Sequence, residues 1–156
     1  MSTNKFNLFL ENARLLSDKL GIVPLLYSSL GLEYLTGDAL CSDDIDILVP
    51  CVFITELWHE FKALLEAQGY VLVDEHEHTF ARDSVAYSYA DIEDLESFAG
   101  INTEAIEMHE VDGVRFMLLS LEQYLAVYRQ SSKDGYRVNI RQKKDADKIR
   151  FIENKL

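Results

Sequence analysis

Proline is scarce in this chain, with 2 in 156 residues, and glycine is modest at 7. Collagen-like and linker-like architectures are excluded on that count. No apolar run approaches the length of a membrane span. The start, Met1-Ser2-Thr3-Asn4-Lys5, lacks the charged-then-apolar layout of a signal peptide, and Asn7, Glu11 and Asn12 interrupt the apolar residues after it. A cytoplasmic protein is the expectation. Cysteine is limited to Cys41 and Cys51, and neither has a C-x-x-C partner. Two free thiols are expected, not a zinc site or a disulfide framework. Positive charge is also short: 15 Lys and Arg stand against 27 Asp and Glu, a net charge of −12. It is unevenly spread. Residues 129–156 hold 9 of the 15 bases and 4 of the 27 acids, a balance of +5 against −17 for the rest. Such an acidic body is a poor partner for duplex nucleic acid. A small phosphate-bearing ligand held between an acidic metal site and the basic tail is compatible. So is a last helix with a solvated basic face.

What is present is a globular composition, 48% hydrophobic and 27% charged, at the usual size of one domain with a real core. No repeat or linker divides residues 1–156, so a single domain is expected. Residues 6–20 read as an amphipathic helix, with Phe6, Phe9, Leu10, Ala13, Leu16 and Leu20 at helical spacing and Gly21 as the stop. Residues 22–27 form a short apolar run, read as a buried strand. A short helix over 30–35 ends at Thr36-Gly37. Residues 44–49 form a strand closed by Pro50, and Thr55 is positioned to cap a helix over 56–68. Residues 70–73, 79–81 and 85–89 read as strands. Residues 104–108 and 115–118 also read as strands, with Asp112-Gly113 as a hairpin turn. Ser120-Leu121-Glu122-Gln123 has capping-box form and opens a helix to about residue 131; Asn139-Ile140-Arg141-Gln142 repeats it and opens the last helix. The order predicts an α/β (α+β) domain, a mixed sheet backed by helices.

The segment Asp44-Ile45-Asp46-Ile47 carries the chemistry. On a strand, residues two apart project from one face, so Asp44 and Asp46 would stand together while Ile45 and Ile47 anchor the core. Two carboxylates that close are costly to hold ionised without a cation. Oxygen-only ligation suits Mg²⁺, which polarises phosphoryl oxygens and neutralises a pyrophosphate leaving group. An edge strand with one solvated acidic face would show the same spacing.

Leu25-Leu26-Tyr27-Ser28-Ser29-Leu30-Gly31-Leu32, followed by Asp43-Asp44-Ile45-Asp46-Ile47, resembles the signature of the nucleotidyltransferase superfamily. Its pattern is a hydrophobic residue, Gly, then Gly or Ser, a gap, then Asp, hydrophobic, Asp or Glu, hydrophobic. Lys144-Asp145-Ala146-Asp147-Lys148-Ile149 resembles the Lys-Asp-x-x-Asp run in the last helix of many such domains. The resemblance implies a nucleotidyltransferase-like fold over roughly residues 22–150. It also implies that Ser29, with Ser28 and Lys144, contacts a nucleoside triphosphate, and that Asp44 and Asp46 carry Mg²⁺. Two departures are visible. Ser28 stands where the pattern has its first glycine, with Gly31 as the other glycine nearby. The third carboxylate is absent from residues 85–89; Asp91, just past that strand, is the nearest candidate, with Asp83 before it.

The function implied is Mg²⁺-dependent transfer of a nucleoside monophosphate from an NTP to an unknown hydroxyl acceptor, with Asp44, Asp46 and Asp91 as the acids. The alternative is a catalytically degenerate module of the same fold that senses nucleotides or binds proteins. Other constellations are weaker. His76 and His78 could share a transition metal but lack a third ligand. Tyr124 and Tyr128 share a helix face, to stack on a base or to pack on the sheet. No Walker loop, G-x-S-x-G elbow or G-x-G-x-x-G is present.

Overall fold

The computed structural model describes residues 3–40, 44–132 and 139–156, with backbone only for residues 3, 4, 28 and 139–145. Helix α1 spans Thr3–Leu20. Gly21, at φ 66°, supplies the left-handed turn that lets its own N–H and that of Ile22 return to the carbonyls of Ser17 and Leu16. Strand β1 is only Leu25–Tyr27 and runs directly into α2, Ser28–Thr36. The helix thus begins two residues before the apolar periodicity announces it, because Tyr27 is still extended and serves as the cap position. Strand β2, Ile45–Val49, begins one residue after Asp44.

A 3-10 turn over Cys51–Ile54 leads to α3, Trp58–Ala67. Thr55 does not cap that helix. Its hydroxyl turns back to the carbonyl of Cys51 at 2.9 Å, and the helix starts later than the pattern predicts. Strands β3 (Val71–Asp74), β4 (Thr79–Arg82) and β5 (Val85–Asp91) come next. Helix α4, Asp94–Ala99, has no counterpart in the sequence pattern; six residues carry too little periodicity to register. An Asn102 side chain accepts the N–H of Glu104 at 2.9 Å and holds a 3-10 turn, so β6 starts at Glu107 and runs to Val111. Asp112 and Gly113 take φ values of 52° and 77°, the hairpin turn expected, leading to β7, Val114–Leu118. The capping box opening α5 (Leu121–Ser132) closes reciprocally: Gln123 N–H donates to Ser120 Oγ at 3.1 Å, and Ser120 N–H to Gln123 Oε1 at 2.9 Å. Helix α6 spans Asn139–Lys155.

The seven strands form one mixed sheet in the order β3-β4-β5-β2-β1-β7-β6. Strand β2 lies at its centre, antiparallel to β1 and parallel to β5. Register divides the central strands into two faces. Leu26, Ile45, Ile47, Tyr87 and Tyr89 point to one, where they are at most 1% exposed. Phe61 of α3 meets Tyr89 there at 5.0 Å, and Phe9 of α1 meets Phe116 at 5.4 Å. Burying these large side chains, at about 1.5–3 kcal/mol each, is what fixes the sheet's register. The other face carries Tyr27, Asp46, Leu48, Ser88 and Ala90. Among the described residues, no helix is long and apolar enough to cross a membrane.

Candidate functional site

The β1–α2 junction and the start of β2 meet at one place. The antiparallel register sets Tyr27, the last residue of β1, opposite Asp46. Neighbouring strands lie about 5 Å apart, so Asp46 stands beside the first residues of α2. Those residues are Ser28 and Ser29, and the Tyr27 side chain at the cap position makes no capping hydrogen bond. The first N–H groups of a helix lack intrahelical partners and carry the positive end of the dipole, which favours an anion. Ser29 is half-buried; the side chain of Ser28 lies outside the described residues. Asp46 is half-buried within β2, and Asp44 is exposed in the bend that precedes it.

Gly31 is not available to a phosphate. It is buried, and a Cβ placed on it would lie 1.9 Å from Tyr124 Oη and 3.1 Å from Leu118 Cδ1. That glycine exists so that Tyr124 of α5 can pass α2 and donate to the Leu26 carbonyl at 2.9 Å. Tyr124 is therefore a packing residue, fully buried, and not a platform for a base.

The acid on β5 is displaced from the first two. Register puts Ser88 beside Asp46, with its hydroxyl 2.8 Å from that of Thr79, and puts Asp91 beside Val49. By the strand period of two, Asp91 belongs to the opposite face from Asp46. Its Oδ1 accepts the N–H of Glu93 at 2.8 Å. Asp91, Glu93 and Cys51 bring ligand atoms within 4.8 Å of one another. Cys51 carries a free thiol, as expected; Cys41 lies outside the described residues. The hydrogen bond to Asp91 pushes the Cys51 thiol up, with burial and the Asp91 charge acting in the same direction. The thiolate is the reactive form, so Cys51 should alkylate slowly at about pH 8. Asp91→Asn should speed that reaction several-fold, read by mass spectrometry of the Cys51 peptide. Equal rates in the two proteins would show that Asp91 does not govern the thiol.

The basic helix is partly occupied with local partners. Lys155 Nζ lies 2.6 Å from Asp38, tying the end of α6 to the segment between α2 and β2. Arg129 bridges to Glu153 at 2.8 Å, Arg150 pairs with Asp147, and Lys148 sits over the Tyr128 ring at 6.0 Å. The side chain of Lys144 lies outside the described residues. The two histidines of the β3–β4 turn differ in setting. His78 packs edge-on against Trp58 at 4.7 Å, while His76 is exposed. A cleft of about 410 Å³ opens on the Asp46 face of the sheet, between Tyr27 and Leu48 on one side and Leu95 and Phe98 of α4 on the other.

The mixed sheet and the helices around it have the fold of the nucleotidyltransferase-like proteins. The solution structure of the antibiotic-resistance factor ANT(2'')-Ia matches it with a TM-score of 0.59 at 14% identity, over 99% of this chain and 91% of that one. An antigenic nucleotidyltransferase-like protein from Paracoccidioides brasiliensis matches with 0.64 at 16% identity, over 94% and 73%. A crystal structure of ANT(2'')-Ia with adenylyl-2''-tobramycin matches with 0.61 at 12% identity, over 99% and 90%. No family model matches the sequence. The chain belongs to the same family as the uncharacterized protein YnaI of Bacillus subtilis (strain 168). The two are 40% identical over 151 residues, which cover 97% of this chain and 96% of YnaI.

Proposed function

We propose that the protein is a Mg²⁺-dependent nucleotidyltransferase that moves a nucleoside monophosphate from an NTP to a small hydroxyl-bearing acceptor. The observation that carries this reading is the Tyr27–Asp46 register, which sets a carboxylate beside the start of α2. One solved structure of the same fold holds adenylyl-2''-tobramycin, which is in keeping with it. Backbone N–H groups at Ser28 and Ser29 would take the triphosphate. Asp44 and Asp46 fit Mg²⁺: both offer only oxygen, and both keep solvent access. Mg²⁺ is commonly bound by one or two carboxylates together with substrate phosphates and water, so two acids suffice for a metal that arrives with the nucleotide. Bound there, the ion would polarise the phosphoryl oxygens and offset their charge. In the transfer, the acceptor hydroxyl oxygen bonds to the α-phosphorus, the α–β phosphoanhydride bond breaks and pyrophosphate leaves. The hydroxyl proton passes to solvent or a nearby acid. Asp91 borders the cleft from the end of β5 and acts in this reading on the acceptor side, away from the metal. In this reading Lys144 is a further ligand for the phosphates.

A test is transfer from labelled NTPs to the small-molecule fraction of a cell extract. Wild type should form a labelled adduct only with Mg²⁺, and Asp46→Asn should lower the rate by about 100-fold or more. A second reading, nucleotide binding without transfer, is favoured by one observation. The β5 residues sharing Asp46's face are Ala86, Ser88 and Ala90, none of them an acid. Mg²⁺-dependent NTP binding with no adduct from any extract would favour that reading.

A further inference from the structure

The cleft on the Asp46 face differs in chemistry from the phosphate end of the site. Its volume of about 410 Å³ lies in the range of small-molecule sites and suits a ligand of one or two rings. Tyr27 and Phe98 give it aromatic surface, and Leu48 and Leu95 give it an apolar floor and wall. Phe98 is 37% exposed, a large apolar ring left at the mouth where a ligand would cover it. Asp91 and Asp94 are the acidic residues of the lining, the Asp91 carboxylate being taken up by Glu93 N–H beside Cys51; among the described residues, no lysine, arginine or histidine contributes. Asp94 is exposed at the first turn of α4, beside Glu93 and followed by Glu96. The position of the cleft is set by register. Tyr27 pairs with Asp46, and Leu48 is the next residue of β2 on the same face. The opening therefore adjoins the residues assigned to metal and phosphate.

We infer that this cleft is a binding site for a small ring compound bearing an ammonium group. Its occupant under the transfer reading is the hydroxyl acceptor. The aromatic walls attract a cation through their faces as well as by apolar contact. The exposed Asp94 carboxylate favours an ammonium and opposes a carboxylate or phosphate. Anionic acceptors such as sugar phosphates or nucleic acid ends are disfavoured by the same group, in keeping with the −17 balance of residues 1–128. The acceptor role rests on the nucleotidyl-transfer reading; the cation-binding role does not.

Three probes with one ring and one phenolic hydroxyl separate charge from shape: tyramine, the neutral tyrosol, and 4-hydroxyphenylacetate. Each is titrated into the full chain, without nucleotide or Mg²⁺, and amide shifts are followed. The expected result is tyramine shifts confined to Tyr27, Leu48 and residues 90–98, with affinity about tenfold above that of 4-hydroxyphenylacetate. Asp94→Asn, an exposed and nearly isosteric change, should remove most of that preference while leaving the tyrosol affinity unchanged. Phe98→Leu should weaken tyramine and tyrosol together. An ATP titration of the same sample reports on the transfer reading separately. Cleft shifts with no ATP response would sustain the cation site and remove the acceptor role. No cleft shifts up to about 10 mM tyramine, or equal affinity for the cation and the anion, would overturn the inference.

Discussion

Gly31→Ala should destabilise the domain by about 3–5 kcal/mol, against a total of about 5–15 kcal/mol for a domain of this kind. The added methyl would meet Tyr124 Oη at 1.9 Å and Cζ at 2.9 Å, distances at which something must move. Tyr124 is fully buried, and its hydroxyl is committed to the Leu26 carbonyl. Displacing the ring therefore costs the hydrogen bond as well as the packing. Urea unfolding monitored by far-UV circular dichroism reads the change. The double variant Gly31→Ala, Tyr124→Phe should recover part of the loss, because it removes the closest atom but leaves the ring carbon in conflict. Strict additivity of the two single changes would show that the residues are not coupled as the geometry requires. The consequence reaches the site, since Leu26 lies one residue before the Tyr27 that pairs with Asp46.

Alkaline pH should unfold the protein steeply above about pH 10. Burial is the largest cause pushing up the phenols of Tyr70, Tyr87, Tyr89 and Tyr124. All four are at most 2% exposed. The buried Asn12 amide lies close enough to Tyr70 and Tyr89 to pull in the opposite direction, but burial outweighs it. A phenol raised in the folded state contributes stability that is complete below its unfolded value, near 10. That contribution is lost as pH climbs toward the folded value. Between its unfolded and folded values each such group removes about 1.4 kcal/mol per pH unit, and several acting together erode a marginal stability quickly. Phenolate absorbance and circular dichroism should therefore change together for these four tyrosines. Smooth ionisation of all of them near pH 10, with the fold retained, would contradict the burial described.

The elements legible in the sequence are those whose cause is local. The capping box at Ser120, the Asp112-Gly113 turn and the Gly21 stop each rest on a few adjacent residues, and each appears as expected. The Asp-Ile-Asp-Ile alternation placed a core strand with an acidic face, because burial of Ile45 and Ile47 is written in period two. What could not be read depends on partners distant in the chain. Thr55 has the chemistry of a cap, but the 3-10 turn at Cys51–Ile54 offers its hydroxyl a carbonyl first. Gly31 has the look of a phosphate-loop glycine, and only the arrival of Tyr124 from about 90 residues away shows it to be a packing position. Asp91 is near Asp46 in the sheet, yet the β2–β5 register assigns Ser88 the adjacent place. Short α4, which builds the cleft wall, left no periodic trace at all.

The most direct test of the nucleotide site is an amide-shift titration with ATP, with and without Mg²⁺. It is run on wild type and on the Asp44→Asn, Asp46→Asn double variant. Shifts centred on residues 28–30 and 44–47, dependent on Mg²⁺ and lost in the variant, are the predicted result. No response to any NTP at millimolar concentration, or the same response in the variant, would contradict a nucleotide site at the β1–α2 junction.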